Sequence, residues 1–312
     1  MGQYNKRALM AAIESPYGTS ANPGGTAAIM VNDDLQITPL DADELERTTL
    51  QPHFGTRRKS LINPKVQFSF SVDVAGSGVA GTAPKWGRLL QACGFGETVV
   101  ASTSVTYNLK TDNADIAGLT MVGFMDGQRH LATGCRGSAQ LMGKVGEFFR
   151  VMFNMTGIYA APTDAALPSA TFGNHVDPLH VSNVNTTNLL VNGWNGACLS
   201  EFDFNLNNST TYRELVGCTK QVRINDRQAN GKIVIESPSL SAYNAFTAAT
   251  TSAIGTVSFS HADSAGGSCT VTARCNFGAP TYTDMDNITM IDVPVGLVPS
   301  TAGNDELTLV FT

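Results

Sequence analysis

Charge is scarce in this chain. Only 15% of its 312 residues are Asp, Glu, Lys or Arg, and 20 basic against 26 acidic side chains leave a formal net charge of −6. Binding nucleic acid requires Lys and Arg gathered on one face, so that class is disfavoured; an acidic surface would instead let DNA pass without sticking. Long apolar runs are lacking too. Residues 1–7 are polar, the apolar stretch 8–13 is too short for a signal-peptide core, and no uninterrupted run nears about twenty residues. The expectation is a chain made in the cytoplasm with no membrane anchor. No CxxC pair occurs among the cysteines at 93, 135, 198, 218, 269 and 275, which in a chain this large read as reduced core residues rather than a disulfide framework.

Signatures of catalysis fail one by one. Gly76, Gly78 and Gly81 satisfy the dinucleotide fingerprint G-x-G-x-x-G after a strand pattern. A genuine site starts its helix within the glycines and follows a strand buried on both faces. Here the strand alternates polar side chains and Pro84 falls inside the first turns of that helix, which leaves a flexible glycine-rich loop as the reading. Residues 137–144 approach a phosphate loop, but five residues instead of four separate Gly137 from Gly143, and Val145 stands where Ser or Thr must hold magnesium. Asp284, Met285, Asp286 and Asn287 open like a calcium loop, yet Thr289 and Val295 occupy its sixth and twelfth positions, so a solvated turn is expected. Of the histidines at 53, 130, 175, 180 and 261 only His175 and His180 are close, and two ligands do not fill a tetrahedral site. No G-x-S-x-G elbow occurs. Neither an enzyme, a cofactor nor a metal is expected.

What the chain does have is repetition. Arg47 and Arg213, about 166 residues apart, sit in the same order of events. Residues 35–40 and 202–206 read as strands, an acidic turn or a polar Asn207-Asn208-Ser209 turn follows, and then come 46–50 and 212–216. A further strand begins 19 residues after Arg47, at Val66, and 20 after Arg213, at Ile233. A short helical pattern follows near Trp86 and near Tyr243, and the glycine-rich run 75–83 accounts for the nine extra residues of the first copy. The last alternating strands keep nearly the same offset, with Phe153 106 residues after Arg47 and Phe311 98 after Arg213. The chain therefore reads as a duplicated domain of a size that buries its own core.

Residues 1–32, rich in Pro and Gly and holding at most one helical turn near 9–14, read as an N-terminal arm; 33–160 form the first domain, 161–196 a linker with prolines at 162, 168 and 178, and 197–312 the second domain. The clearest strand is 66–74, which places five apolar side chains on one face. Residues 84–93 put Trp86, Leu89, Leu90 and Cys93 on one helical stripe with Gly94 after the end. Met125-Asp126-Gly127-Gln128 predicts a two-residue hairpin, and Gly134 and Gly137 bracket a further turn. Phe149, Val151, Phe153 and Met155 close the first copy as a strand; 271–277 and 307–311 alternate in the second.

Charge is also segregated. Residues 33–46 carry six acids and no base, among them Asp41, Asp43 and Glu44, while 52–65 carry Arg57, Arg58, Lys59 and Lys65 and no acid. Either the two arms of a solvated hairpin neutralise one another, or a polar loop reaches an acidic surface on the next subunit and sets its register. The abundance of Gly, Ser, Thr, Asn and Ala suits a β protein that hides surface against partners, or a plain sandwich with a neutral surface.

Ala11-Ala12-Ile13-Glu14 with Tyr17-Gly18-Thr19, then 27–31 leading into 35–40, resembles the major tail tube proteins of long-tailed, siphovirus-type bacteriophages, and so does Tyr212-Arg213-Glu214-Leu215-Val216-Gly217. The resemblance runs end to end and its motifs are structural. It implies a mainly β fold of two tandem tube-type β-sandwich domains, each with a short flanking helix, whose inner sheets close into a β-barrel ring on assembly. Rings would stack into the virion tail in the bacterial host cytoplasm, with tape-measure, tail-tip and tail-terminator proteins as partners and DNA leaving through the lumen. Three duplicated chains supply a pseudo-sixfold ring, which is favoured over six chains. The loop 54–63 is expected between rings, the arm 1–25 between subunits, and His53, Phe54, Arg57, Arg58, Lys59, Asp41, Asp43 and Glu44 at contacts. A non-polymerising β-sandwich adhesin or capsid-decoration protein remains the alternative, and a dinucleotide enzyme would need Gly76 to Gly81 to bind.

Overall fold

Alternation of apolar and polar side chains yields strands along most of the computed structural model, which describes residues 5–262 and 266–312. In the first half these are β1 (Arg7–Ile13), β2 (Ala28–Ile29), β3 (Gln36–Glu46), β4 (Lys59–Asp73), helix α1 (Gly87–Ala92), β5 (Phe95–Val100), β6 (Ser104–Leu109), β7 (Leu119–Met125), β8 (Gln128–Lys144) and β9 (Arg150–Tyr159). The connection contributes β10 (Thr163–Asp164) and β11 (Thr186–Val191). The second half holds β12 (Leu199–Asn205), β13 (Asn208–Arg213), β14 (Gln221–Arg227), β15 (Asn230–Glu236), helix α2 (Ala245–Thr250), β16 (Ile254–His261), β17 (Cys269–Phe277), β18 (Thr281–Met285), β19 (Ile288–Leu297) and β20 (Leu307–Phe311). The fold is mainly β, with one short helix in each half.

Two layers enclose the core. The first is an antiparallel sheet in the order β3–β4–β9–β8–β12–β15–β19–β18. The second runs β5–β6–β20–β17–β16–β11. The N-terminal part of β8, whose Ala132 and Thr133 still pair with β9, also pairs with β7, which carries β1 and then β2, and the C-terminal end of β19 pairs with β17 of the second layer. The halves are thus stitched along two seams, β8–β12 and β6–β20.

Period-two patterning explains which face is dry. Along β4, Val66, Phe68, Phe70 and Val72 are buried, while Gln67 and Ser69 face away from the core. Each fully buried Phe or Val stabilises the fold by roughly 1.5–3 kcal/mol. Aromatic rings bridge the layers: Trp86, at the start of α1, lies 6.5 Å from Phe153 of β9 and 5.7 Å from Phe311 of β20. Its indole Nε1 donates to the Ala75 carbonyl at 2.9 Å, so its one polar atom is satisfied. In the second half Phe202 of β12 and Phe259 of β16 lie 4.5 Å apart. The patterned helix over 84–93 begins only at Gly87, where a Cβ would strike the Tyr107 hydroxyl at 2.0 Å, and gives way to Gly94 with φ +91°.

The hairpin read at Met125-Asp126-Gly127-Gln128 forms, with φ +27° at Asp126 and +94° at Gly127. Four other local expectations are corrected. Residues 7–13 form strand β1, not a helical turn, because β7 offers a seven-residue partner and Leu9, Met10 and Ala11 are buried. Residues 1–4 of the expected arm lie outside the described residues. The acidic stretch 41–46 is no turn either: β3 runs straight through it, paired to β4. Gly134 and Gly137 bracket no turn, since β8 continues past both; Gly134, at φ +58°, sits where the register with β9 shifts. Finally, Phe153 and Phe311 hold different places. β9 pairs with β4 and β8, whereas β20 pairs with β17 and β6; the strand that lies beside β15 as β9 lies beside β4 is β19.

Candidate assembly surfaces

The segregated charges meet within one hairpin. Lys59 Nζ lies 2.5 Å from Glu44 Oε2 and Lys65 Nζ 3.4 Å from Asp41 Oδ2, while Asn63 donates to Asp43 at 3.0 Å. The Glu44 carboxylate, through its hydrogen bond and its charge, raises the Lys59 pKa above the ordinary lysine value. Antiparallel pairing of an acidic strand with a basic one places opposite charges across the ladder, so the arms neutralise one another in their own chain. Of the expected contact residues, the structure brings Asp41, Asp43, Glu44 and Lys59 together on β3 and β4. His53, Phe54, Arg57 and Arg58 stand apart, on the connecting loop 47–58, where Leu50 and Phe54 are fully exposed. Leu45, Leu61 and Ile62 add exposed apolar surface to the hairpin.

The first layer ends on two edges with no further strand among the described residues: β3, whose partner is β4, and β18, whose partner is β19. All five residues of β18 are exposed. The β18–β19 turn holds Asp286 at φ +53° and Asn287 at φ +63°, a conformation that Asx residues tolerate and that matches the twist of a two-residue hairpin. The segment that opens like a calcium loop is therefore the tip of an edge hairpin. The solvated turn expected there is this one, two Asx-type residues between apolar Met285 and Ile288.

Across the first layer, the face turned away from the core is polar. One depression of about 540 Å³ is lined by Gln140, Asp203, Asn205, Asn230 and Lys232, and another of about 400 Å³ by Gln36, Thr38, Gln67, Ser69 and Asn154. Gln140 Nε2 donates to both Asp203 oxygens, at 2.9 and 2.8 Å, and Lys232 pairs with Glu201 at 2.8 Å, which raises the lysine pKa. Amides and hydroxyls dominate, and at the positions that alternate with the buried core residues of β12, β15, β19 and the C-terminal part of β8, Glu201, Asp203, Glu236 and Asp292 stand against Lys144 and Lys232.

A second hairpin, β13–β14, leaves the sheet at Asn207, with φ +46°, and lies over β8 and β9 of the first half. There Asn208 donates to the carbonyls of Cys93 and Gly137 at 2.7 and 3.0 Å. Tyr17 Oη accepts from the Val222 N–H at 2.8 Å, and burial pushes the Tyr17 phenol up to about 12. Arg136, stacked 4.5 Å over the Tyr17 ring, donates to carbonyls of Asn113, Ile116 and Val222. Sequence reasoning missed this dock, because isolated Tyr, Arg and Asn residues scattered over 17–208 carry no local pattern.

Among the described residues, reactive side chains do not gather on these surfaces. Cys93, Cys135, Cys269 and Cys275 are buried thiols whose pKa burial raises, while Cys198 and Cys218 are exposed; all are unpaired. No three His, Cys, Asp or Glu side chains are grouped to hold a metal among the described residues. The glycine-rich run is packed instead of free: a Cβ on Gly76 would lie 2.0 Å from the Gly266 carbonyl oxygen, and Gly78 N–H donates to that same oxygen at 3.0 Å. Its glycines serve backbone contact.

No curated protein matches the chain in sequence. The family model described as phage tail tube protein matches residues 5–297, nearly the whole length, and the chain belongs to that family of structural virion proteins.

Proposed function

We propose that this chain polymerises into stacked rings whose joined inner sheets line the channel through which phage DNA leaves the head. The observation that carries this reading is the first layer: eight antiparallel strands with a polar, slightly acidic uncovered face and an open edge at each end. Exposed edges are liabilities unless another strand covers them, and closure into a barrel covers all of them. A lining of amides, hydroxyls and carboxylates offers phosphates no cluster of cations, which suits passage without binding.

Residues 33–160 and 197–312 act as tandem tube domains in this reading. In support, β3–β4–β9–β8 and β12–β15–β19–β18 share one order, each built from a first hairpin, a helix, and a later hairpin (β8–β9, β18–β19) laid beside it. Three chains then supply six such units, and a trimeric ring closes with pseudo-sixfold symmetry. Loop 47–58 and its hairpin stem, with His53, Phe54, Arg57 and Arg58 foremost and Asp41, Asp43, Glu44 and Lys59 behind, reach the next ring. β1 occupies an internal sheet position, so bridging by the N-terminal arm falls to the residues around it. Tape-measure, tip and terminator proteins set the length and ends of the tube.

Shortening loop 47–58 to a tight turn tests the stacking role. The expected product is folded protein that forms single rings without tubes in negative-stain electron microscopy. Loss of the β circular-dichroism signal, or normal tubes, would remove the loop from the inter-ring contact.

A further inference from the structure

A cavity of about 890 Å³ opens at the seam between the two halves, where β8 ends and β12 begins. Val145, Val181, Leu189, Leu190, Ala197 and Leu199 supply its apolar wall, and the exposed Cys198 lies among them. That wall is held from several sides. Gly146 N–H donates to the Val181 carbonyl at 2.9 Å and Val181 N–H to the Glu147 carbonyl at 2.8 Å, which fastens the connection 179–187 to the turn after β8. Buried His261 grips the same connection at two points, its ring nitrogens 3.1 Å from the Leu179 carbonyl oxygen and 3.0 Å from Thr186 Oγ1. β11 then bends beside it, with a register shift between Thr187 and Leu190 and Asn188 at φ +54°. A preformed hollow of this size receives a guest without first having to order its own walls.

Strand direction fixes where the cavity lies. β3 runs from Gln36 towards loop 47–58, and β4 returns from it to Asp73, which stands opposite Arg150 of β9 and, through it, Met142 of β8. The C-terminal end of β8, and the cavity with it, is therefore at the end of the first layer remote from that loop. Rings stacked head to tail bring these two ends together. We infer that the cavity is the socket for loop 47–58 of a second copy in the next ring, with Leu50 and Phe54 as the inserted side chains. The inference rests on the stacking reading above and adds the surface that receives the loop. Both side chains are fully exposed, apolar and without cover in their own chain. Charge agrees, since the loop carries Arg47, Arg57 and Arg58 and no acid, while Glu147 and Glu236 outnumber Lys144 beside the cavity. The corresponding loop of the second half, 214–220, fits less well. Its Glu214 and Lys220 pair with each other at 2.9 Å, and its hairpin is folded down over β8 and β9. Each chain thus brings one such loop and one seam cavity. Pseudo-sixfold rings could stack in two rotational settings one domain apart, and three loops entering three sockets select one of them.

Disulfide trapping on the full chain tests this. His53→Cys and Thr56→Cys, which flank the inserted Phe54, are each combined with native Cys198 in a Cys218→Ser background, and Val216→Cys in the same background serves as the comparison. Tubes are oxidised with copper phenanthroline and run on non-reducing gels. One loop and one socket per chain link copies along the tube, so the expected result is a ladder extending beyond three chains from His53→Cys or Thr56→Cys, and at least tenfold less product from Val216→Cys. A ladder from Val216→Cys alone, or none from any of the three in intact tubes, overturns the docking and leaves stacking standing. No tubes from the unaltered chain overturns the stacking reading with it. An independent measurement uses Phe54→Asp and Asn195→Trp, the latter at an exposed position of the cavity wall. Each is expected to give protein with the unaltered circular-dichroism spectrum that needs at least tenfold higher concentration to form tubes. Tubes at unchanged concentration from both variants overturn the socket.

Discussion

Asn113 and Ile224 are joined by two hydrogen bonds, the Asn113 Nδ2 donating to the Ile224 carbonyl at 2.7 Å and the Ile224 N–H donating to Asn113 Oδ1 at 3.0 Å. A side-chain amide thereby does what a neighbouring strand would do for β14, fixing the second hairpin on the first half of the chain. Asn113→Ala leaves both Ile224 groups without their partner and removes an acceptor of Arg136 Nη1. The expected cost is about 1–3 kcal/mol, seen as a lower urea midpoint and faster amide exchange at Val222 and Ile224. An unchanged midpoint would mean that the Tyr17, Arg136 and Asn208 bonds and the apolar contacts hold the hairpin without Asn113.

Tyr17 gives the same dock a pH dependence. Burial raises its phenol pKa from 10.0 to about 12, and the backbone bond to Val222 and the Arg136 charge only partly oppose this. A folded pKa above the unfolded one means that the contribution is complete below about pH 10 and is lost as pH rises towards 12. The unaltered protein should therefore lose stability between pH 10 and 12 by more than the Tyr17→Phe variant does. Parallel alkaline melting curves for the two would contradict this.

Arg227 and Glu306 form an ion pair, 2.6 Å between Arg227 Nη2 and Glu306 Oε1, with side chains 13% and 5% exposed. It ties β14 to the residue just before β20. Removing one partner of a buried pair strands the other charge, so Arg227→Ala is expected to cost about 3–5 kcal/mol, and Arg227→Ala with Glu306→Ala less than the sum of the single changes. Thermal denaturation of the double-mutant cycle checks it; additive losses would show that the two side chains act independently.

Gly76 separates packing from cofactor binding. Gly76→Ala pushes a methyl into the Gly266 backbone and should destabilise by about 1–3 kcal/mol, while added NAD leaves the melting temperature of the unaltered chain unchanged. A nicotinamide-dependent rise would restore the dinucleotide reading.

Much of the fold was legible because it is local. Val66 to Val72, Met125 to Gln128 and Cys269 to Phe277 carry their strand or turn in their own pattern. What escaped depends on distant partners. Residues 9–14 read as at most one helical turn until β7 is there to pair with β1, and the acids 41–45 read as a turn until 59–65 supplies opposite charges. Counting from Arg47 and Arg213 located the two hairpins, yet the same counting matched β9 to β20, since spacing records position along the chain and not which strand lies alongside. Of the assembly surface, the charged hairpin was visible in composition. The edge at Tyr282 and Asp284 was not, because an unpaired edge is a property of the finished sheet.

The central claim is a closed ring built from duplicated chains. Its most direct test is the mass of single rings formed by the loop-shortened chain, measured by native mass spectrometry beside end-on electron micrographs of tubes from the full chain. The account predicts hollow rings of three chains, each chain of 32.9 kDa in full length, with six pseudo-equivalent lobes. Rings of six chains, or particles with no central channel, would contradict it.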